Sequence, residues 1–288
     1  MFRPHFRFFV NPSAAVLAAG ALCASSASAV VVGFEGFNYA DGTLIAGQTG
    51  GTGWAYVRTP EAGSQPQSPS NWNNVTATPS VQGSALITSG SSAKREFGGV
   101  TEGSAAGSNE REGAFRGAGV AYFSVNFRMD SLLAEGTGQW GGLSSYDFGT
   151  ERIFFGVPSQ TTATRYLGIT GTALGGSTLT NIALEAGRTY HVVGAIDFDA
   201  DLVKFWVNPD GSDFDNGASH SADAFAAYTG TNWSSAVRLG SGAGFATTWD
   251  NLTVADSFAN VVPEPASALL MAGLGLGLAA RRTRRSDS

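Results

Sequence analysis

The chain predicts an all-β body, an antiparallel β-sandwich, on three observations. Thirty-nine glycines among 288 residues, with serine, threonine and asparagine between short aromatic or β-branched runs, describe many strands joined by many turns. Phe123, Val125, Phe127 and Met129 alternate strictly with Tyr122, Ser124, Asn126 and Arg128, the period of a half-buried strand. Thr189 to Asn208 reads as a hairpin, with Tyr190, Val192, Ile196 and Phe198 on one face, a turn at Asp199-Ala200-Asp201, and Val203, Phe205 and Val207 returning. Strands that are antiparallel wherever they can be read, with scarcely any helix, imply two packed sheets, each with a solvated outer face.

The elements follow in order. Gly33 to Tyr39 reads as a strand running into the Asp41-Gly42 turn, and Gln48 to Gly53 as a glycine loop ending on Trp54. A phosphate-binding glycine loop needs a following helix, whereas Trp54-Ala55-Tyr56-Val57 reads as strand. Proline, serine and asparagine dominate from Thr59 to Pro79, which predicts a long surface loop carrying Trp72; Gly98 to Gly113 is expected to be similarly irregular. Glu151 to Val157 and Arg165 to Ile169 are expected to be neighbouring strands. Ser221 to Tyr228 is expected to form one short helix, and Thr248 to Val254 the last strand.

The two ends carry signals of location. Arg3 and Arg7 precede an apolar, alanine-rich stretch, and Ala27-Ser28-Ala29 has the small-residue pattern of a cleavage site, so residues 1–29 read as a secretory signal peptide. Cys23, the single cysteine, lies inside it; an exported chain beginning at Val30 has no thiol for disulfides, catalysis or metal. At the other end, Val262-Pro263-Glu264-Pro265 opens an apolar run from Ala266 to Ala280 that stops at Arg281-Arg282-Thr283-Arg284-Arg285. Proline cannot continue a helix, so one begins near Pro265 and spans about 22 Å, short of the roughly 30 Å hydrocarbon layer. Such a transmembrane helix anchors weakly, and its arginines belong on the cytoplasmic side. The order of Pro-Glu-Pro, short Gly/Leu-rich helix and arginine cluster resembles the PEP-CTERM sorting signal of bacterial exported proteins. That resemblance assigns Val262, Pro263, Glu264, Pro265, Arg281, Arg282, Arg284 and Arg285 to the sorting motif. It implies transient anchoring in the inner membrane, cutting by an exosortase, and release to the cell surface or a biofilm-type extracellular polysaccharide matrix. The expected division is residues 1–29 signal peptide, 30–258 sandwich, and 259–288 linker, motif, helix and basic tail.

Between the ends the body keeps 11 of the 17 basic residues and 21 of the 23 acidic ones, a net charge near −10. This disfavours nucleic acid and anionic membrane as partners. Phe37 to Thr43, the Gly50-Gly51-Thr52-Gly53-Trp54 loop, the Thr189 to Gly211 hairpin and Trp249-Asp250-Asn251-Leu252 resemble the concanavalin A-like (LamG-like) jelly roll. The resemblance implies glycan binders, glucanases and members without activity.

Catalytic patterns are weak. The Glu-x-Asp-x-x-Glu triplet of glucanases on that fold is missing, as are a nucleophile elbow and a two-histidine zinc pair. Asp197, Asp199 and Asp201 suit a hairpin turn, and fail as an EF-hand because Leu202 and Asn208 stand where Gly and Glu belong. Asp210, Asp213 and Asp215 are weak calcium candidates, the alternative being an aspartate-rich loop; no other cofactor is expected. Trp72, Trp140, Tyr146 and Trp233 sit in Gly/Ser/Asn-rich contexts and are candidate sugar-stacking residues, the alternative being plugs of the sandwich ends. Trp54, Trp206 and Trp249 lie in or beside strands and are expected to be packing residues, and His191 is expected to lie on a sheet face. The expectation is a non-catalytic surface or matrix protein, structural or glycan-binding. The alternative is a glycoside-active enzyme whose carboxylates come from different strands.

Overall fold

The computed structural model describes residues 31–56, 68–97, 101–103, 110–112, 115–116, 119–147, 150–213, 221–230, 233–234 and 236–262. The predicted signal peptide and the sorting residues from Pro263 to Arg285 lie outside these. In chain order the strands are β1 (Val31–Glu35), β2 (Ala55–Tyr56), β3 (Ser68–Pro69), β4 (Trp72–Thr76), β5 (Ser80–Gln82), β6 (Ala85–Thr88) and β7 (Ser91–Glu96). Then come β8 (Thr101–Gly103), β9 (Glu110–Glu112), β10 (Phe115–Arg116), β11 (Val120–Met129), β12 (Gln139–Asp147), β13 (Thr150–Gln160), β14 (Tyr166–Gly171) and β15 (Gly176–Ala183). The last are β16 (Thr189–Asp197), β17 (Leu202–Val207), β18 (Ala224–Ala227), β19 (Trp233–Ser234), β20 (Ala236–Ser241) and β21 (Thr247–Ala255).

Two antiparallel sheets make the sandwich. One has eight strands in the order β18-β17-β16-β11-β21-β6-β5, with β1 also pairing β21; the other has seven, β15-β14-β13-β12-β20-β7-β4. The chain passes directly from one sheet to the other at β4 to β5, β6 to β7, β11 to β12, β15 to β16 and β20 to β21, so both sheets supply the same core. The alternation read on β11 holds: Phe123, Val125, Phe127 and Met129 are buried in that core. Phe155 of the seven-stranded sheet stacks on Phe123 at 6.1 Å and on Phe205 at 6.2 Å across the interface. Gly194 on β16 makes room for it, because a Cβ there would press into the Phe155 ring.

One end of the sandwich is pinned by charge. Arg95 on β7 meets Glu35 at the end of β1 at 2.6 Å, and both side chains are buried. Glu35 also accepts from the Phe37 N–H at 2.9 Å and the Tyr39 hydroxyl at 3.0 Å, while the Arg95 Nε and Nη2 donate to the Ser70 carbonyl. The guanidinium lies 4.8 Å from the Trp54 ring and 5.8 Å from the Trp72 ring. Burial pulls Arg95 below its usual value and, with the Glu35 carboxylate adding to it, pushes the Tyr39 hydroxyl up to about 12.

The outer face of the eight-stranded sheet carries a second apolar cluster. Val193, Ala195, Trp206 and Ala255 receive Phe258, Val261 and Val262 from the segment after β21. His191 fastens this segment: its Nε2 donates to the Val261 carbonyl at 2.8 Å, and its Nδ1 faces the Asn126 side-chain amide at 2.8 Å. Burial lowers the His191 pKa, which the bond to Val261 partly offsets.

Several expectations fall. The stretch from Thr59 to Pro79 contains β3 and β4, and Trp72 is 1% exposed inside the core rather than in a surface loop. Its polar neighbours in sequence hid it, because Ser70 serves Arg95 rather than solvent. The irregular stretch from Gly98 to Gly113 holds the short pair β8 and β9. Ala224 to Ala227 is strand and not helix: pairing with β17 outweighs the helix preference of alanine. The body continues past residue 258, since Val261 and Val262 are packed upon it rather than forming a linker. The neighbouring strands β13 and β14, the β16–β17 hairpin and the final strand stand as read.

Arg95→Met leaves the Glu35 carboxylate buried without its cation and should cost about 3–5 kcal/mol in urea unfolding. Adding Glu35→Leu should recover part of that loss. For His191 the folded pKa lies below the ordinary 6.5, so the unfolded chain binds more protons as pH falls through 6.5 and native stability falls with it. The stability difference between wild type and His191→Gln, followed by thermal unfolding from pH 7.5 down to 5, should shift steadily against the wild type.

Candidate functional site

The outer face of the seven-stranded sheet is built around residues without side chains. Gly168, Gly156, Gly142 and Gly240 face one another in register across β14, β13, β12 and β20. Gly156 has φ 141, a conformation open to glycine alone. A Cβ on Gly142 would collide with the Phe155 carbonyl and the Phe154 ring, so the row lets Phe154 lie down over the sheet. Trp140, two residues along β12 on the same face, meets Phe154 edge-on at 6.2 Å. Gly242 stands close under its indole.

Beside these rings lies a polar set. The β12–β13 register shifts between Ser145 and Tyr146, and this bulge turns Glu151 outward although Ile153, two residues on, points into the core. Glu151 then meets the Arg238 Nη2 on β20 at 2.6 Å and accepts from the Ser144 Oγ at 2.9 Å and the Tyr146 hydroxyl at 3.3 Å. Arg238 and Lys94 lie over the Tyr146 ring at 5.3 and 5.4 Å. Burial, opposed by Arg238 and reinforced by Glu151, pushes the Tyr146 hydroxyl up to about 12. Thr170 and Thr172 border the set on the β14 side, Thr170 accepting from the Ser177 hydroxyl at 2.8 Å.

Together Trp140, Phe154, Pro158, Glu151, Arg238 and Thr170 line an open cleft of about 620 Å³. An apolar floor with a few converging polar groups is the usual make-up of a small-ligand site.

The sequence candidates separate here. Trp140 stands in the cleft, and Tyr146, 8% exposed, underlies its polar side by holding Glu151. Trp72 belongs to the Arg95 cage and cannot meet a ligand; the Trp233 side chain lies outside the described residues. Asp213 accepts from the Asp210 N–H at 2.8 Å, closing a loop on itself. Asp215 lies outside the described residues, and among those residues no three His, Cys, Asp or Glu side chains gather as metal ligands. Asp197 and Asp199 bond the backbone N–H groups of Ala200 and Gly119, as turn residues do. Sequence reasoning missed Phe154, Glu151, Arg238 and Thr170. The readable signal was Glu151-Arg152-Ile153-Phe154-Phe155, where a strand of apolar residues begins with two charges and breaks its own alternation.

The family model of the PEP-CTERM protein-sorting motif matches residues 261–285. The chain carries that motif, which indicates export and a transient membrane stage on the way to the cell surface. No curated protein matches the chain. Similar solved structures include a sialidase, at 10% identity and TM-score 0.43 over 67% of this chain, which spans only 18% of the sialidase. The globular domain of T. cruzi calreticulin is similar at 9% identity and TM-score 0.39, over 64% of this chain and 74% of that one. The CBM2 module of the evolved Dit of Lactobacillus casei BL23 phage J-1 is similar at 11% identity and TM-score 0.40, over 79% and 96%. Among the described residues no helix is long and apolar enough to cross a membrane.

Gly142→Ala should cost about 1–3 kcal/mol by overpacking and tip Phe154 off the sheet. Thermal unfolding should show the loss. Near-ultraviolet circular dichroism should show a changed Trp140 band; an unaltered spectrum at wild-type stability contradicts the packing described.

Proposed function

We propose that this is an exported, exosortase-processed protein whose sandwich, a concanavalin A-like (LamG-like) jelly roll, binds extracellular polysaccharide without cleaving it. The sorting motif supports the destination. The observation that carries the binding is the half-buried Trp140 ring, backed edge-on by the buried Phe154, beside the Glu151–Arg238 pair. A pyranose has an apolar face that stacks on aromatic rings and hydroxyls at its edge that need donors and acceptors together; this cleft offers both. Arg238 supplies N–H donors, and Glu151 supplies acceptor lone pairs.

The carboxylate inventory of the cleft supports binding without turnover. Hydrolysis of a glycosidic bond commonly uses two carboxyl groups, about 5–9.5 Å apart, one of them protonated at the leaving oxygen. Among the described cleft residues Glu151 is the single carboxylate, and it is held by Arg238, Ser144 and Tyr146. A Tyr146 hydroxyl with a pKa near 12 is a poor base at neutral pH.

The mature protein should be retained on the producing cell's exopolysaccharide in affinity electrophoresis, releasing no new reducing ends. Trp140→Ala should weaken retention roughly tenfold, the factor given by about 1.4 kcal/mol. Equal retention of wild type and variant removes the cleft from the account, and reducing ends that vanish in Glu151→Gln establish an enzyme instead.

A further inference from the structure

The sorting motif begins inside the folded body. The matched segment starts at residue 261, and Val261 and Val262 are 4% and 6% exposed. Both sit with Phe258 on Val193, Ala195, Trp206 and Ala255. Phe258 meets Trp206 edge-on at 5.0 Å and Tyr122 at 6.0 Å, an aromatic peg three residues before the motif. The backbone is engaged as well. The N–H groups of Val261 and Val262 donate to the Phe258 carbonyl at 3.0 and 3.1 Å, and the Val261 carbonyl accepts from His191 at 2.8 Å.

We infer that the folded sandwich withholds the start of the sorting motif from the exosortase, so that Phe258 to Val262 must lift off the sheet before the motif is processed. This rests on the sorting reading above. An enzyme that takes a peptide in extended form uses the peptide's own N–H and C=O groups, and here those of Val261 and the N–H of Val262 are already bonded within the body. Undocking a terminal segment is a local opening that leaves the core intact. When docking is fast relative to cleavage, the processing rate follows the fraction of chains that are open. The rate-setting residues are then Phe258, His191 and Trp206, which lie outside the matched segment.

The test follows processing of the full chain by pulse labelling and mass spectrometry in an exporting bacterial host, with and without an exosortase. Wild type processed only where the exosortase is present supports the sorting reading; processing in both hosts, or in neither, overturns it and the inference with it. Two variants leave the motif untouched: Phe258→Ala, and a Gly-Ser spacer of roughly six residues inserted between Asn260 and Val261. Hydrogen exchange on the purified unprocessed chain should show the Val261 and Val262 amides protected in wild type and unprotected in the variants, with the β11 and β16 amides unchanged. Variants that lose protection should be processed on the order of tenfold faster. Unprotected amides in wild type, or lost protection with processing no faster than wild type, overturns the inference while leaving the sorting reading in place.

Discussion

The sandwich hangs on a charge pair taken out of water. Desolvating a carboxylate and a guanidinium costs several kcal/mol each, and their attraction offsets this only when the remaining donors and acceptors are also met. Around Glu35 and Arg95 they are met: the Phe37 N–H, the Tyr39 hydroxyl and the Ser70 carbonyl close the set, and two indoles cover the guanidinium. Because Glu35 belongs to β1 and Arg95 to β7, the pair joins the two sheets at one end. It also fixes β7. Lys94, the preceding residue, points to the outer face and pairs in register with Arg238, so the pin inside sets the position of the cation outside.

The outer face of the seven-stranded sheet obeys a different constraint. Glycines replace side chains in one row across four strands, which costs β-propensity and gains flatness. Two aromatic rings settle over that row, and a bulge in β13 swings a carboxylate to meet them. Such irregularities in an otherwise regular sheet are expected where function competes with stability. The opposite outer face, on the eight-stranded sheet, is spent differently: Phe258, Val261 and Val262 cover it, so one outer face carries an open cleft and the other is occupied by the chain's own end.

Much of this was legible in the residues, and the illegible parts have a common cause. Strict alternation exposed β11, β16 and β17 because one face of each packs on a core that only apolar side chains can build. Trp72 was read as part of a surface loop since its companions Ser70 and Asn73 look solvated, while Ser70 in fact serves a buried arginine. Ala224 to Ala227 looked helical because alanine prefers helix, and only the open edge of β17 makes it a strand. At the cleft, Trp140 and Tyr146 were within reach of sequence reasoning as exposed-context aromatics. Glu151 and Arg238 were not: they are 87 residues apart and meet through strand order and a bulge, neither of which has a local signature.

The C-terminal segment joins these themes, since the matched sorting segment starts at Val261, which is packed on the sheet surface. The central claim remains the receiving face. It is tested most directly by mapping amide and indole chemical shifts of the mature, isotope-labelled protein while oligosaccharides cut from the producer's exopolysaccharide are added. The account predicts saturable shifts gathered at Trp140, Phe154, Thr170 and Arg238, with the β16 and β17 amides still. Shifts confined to the eight-stranded sheet, or none at saturating sugar, contradict it.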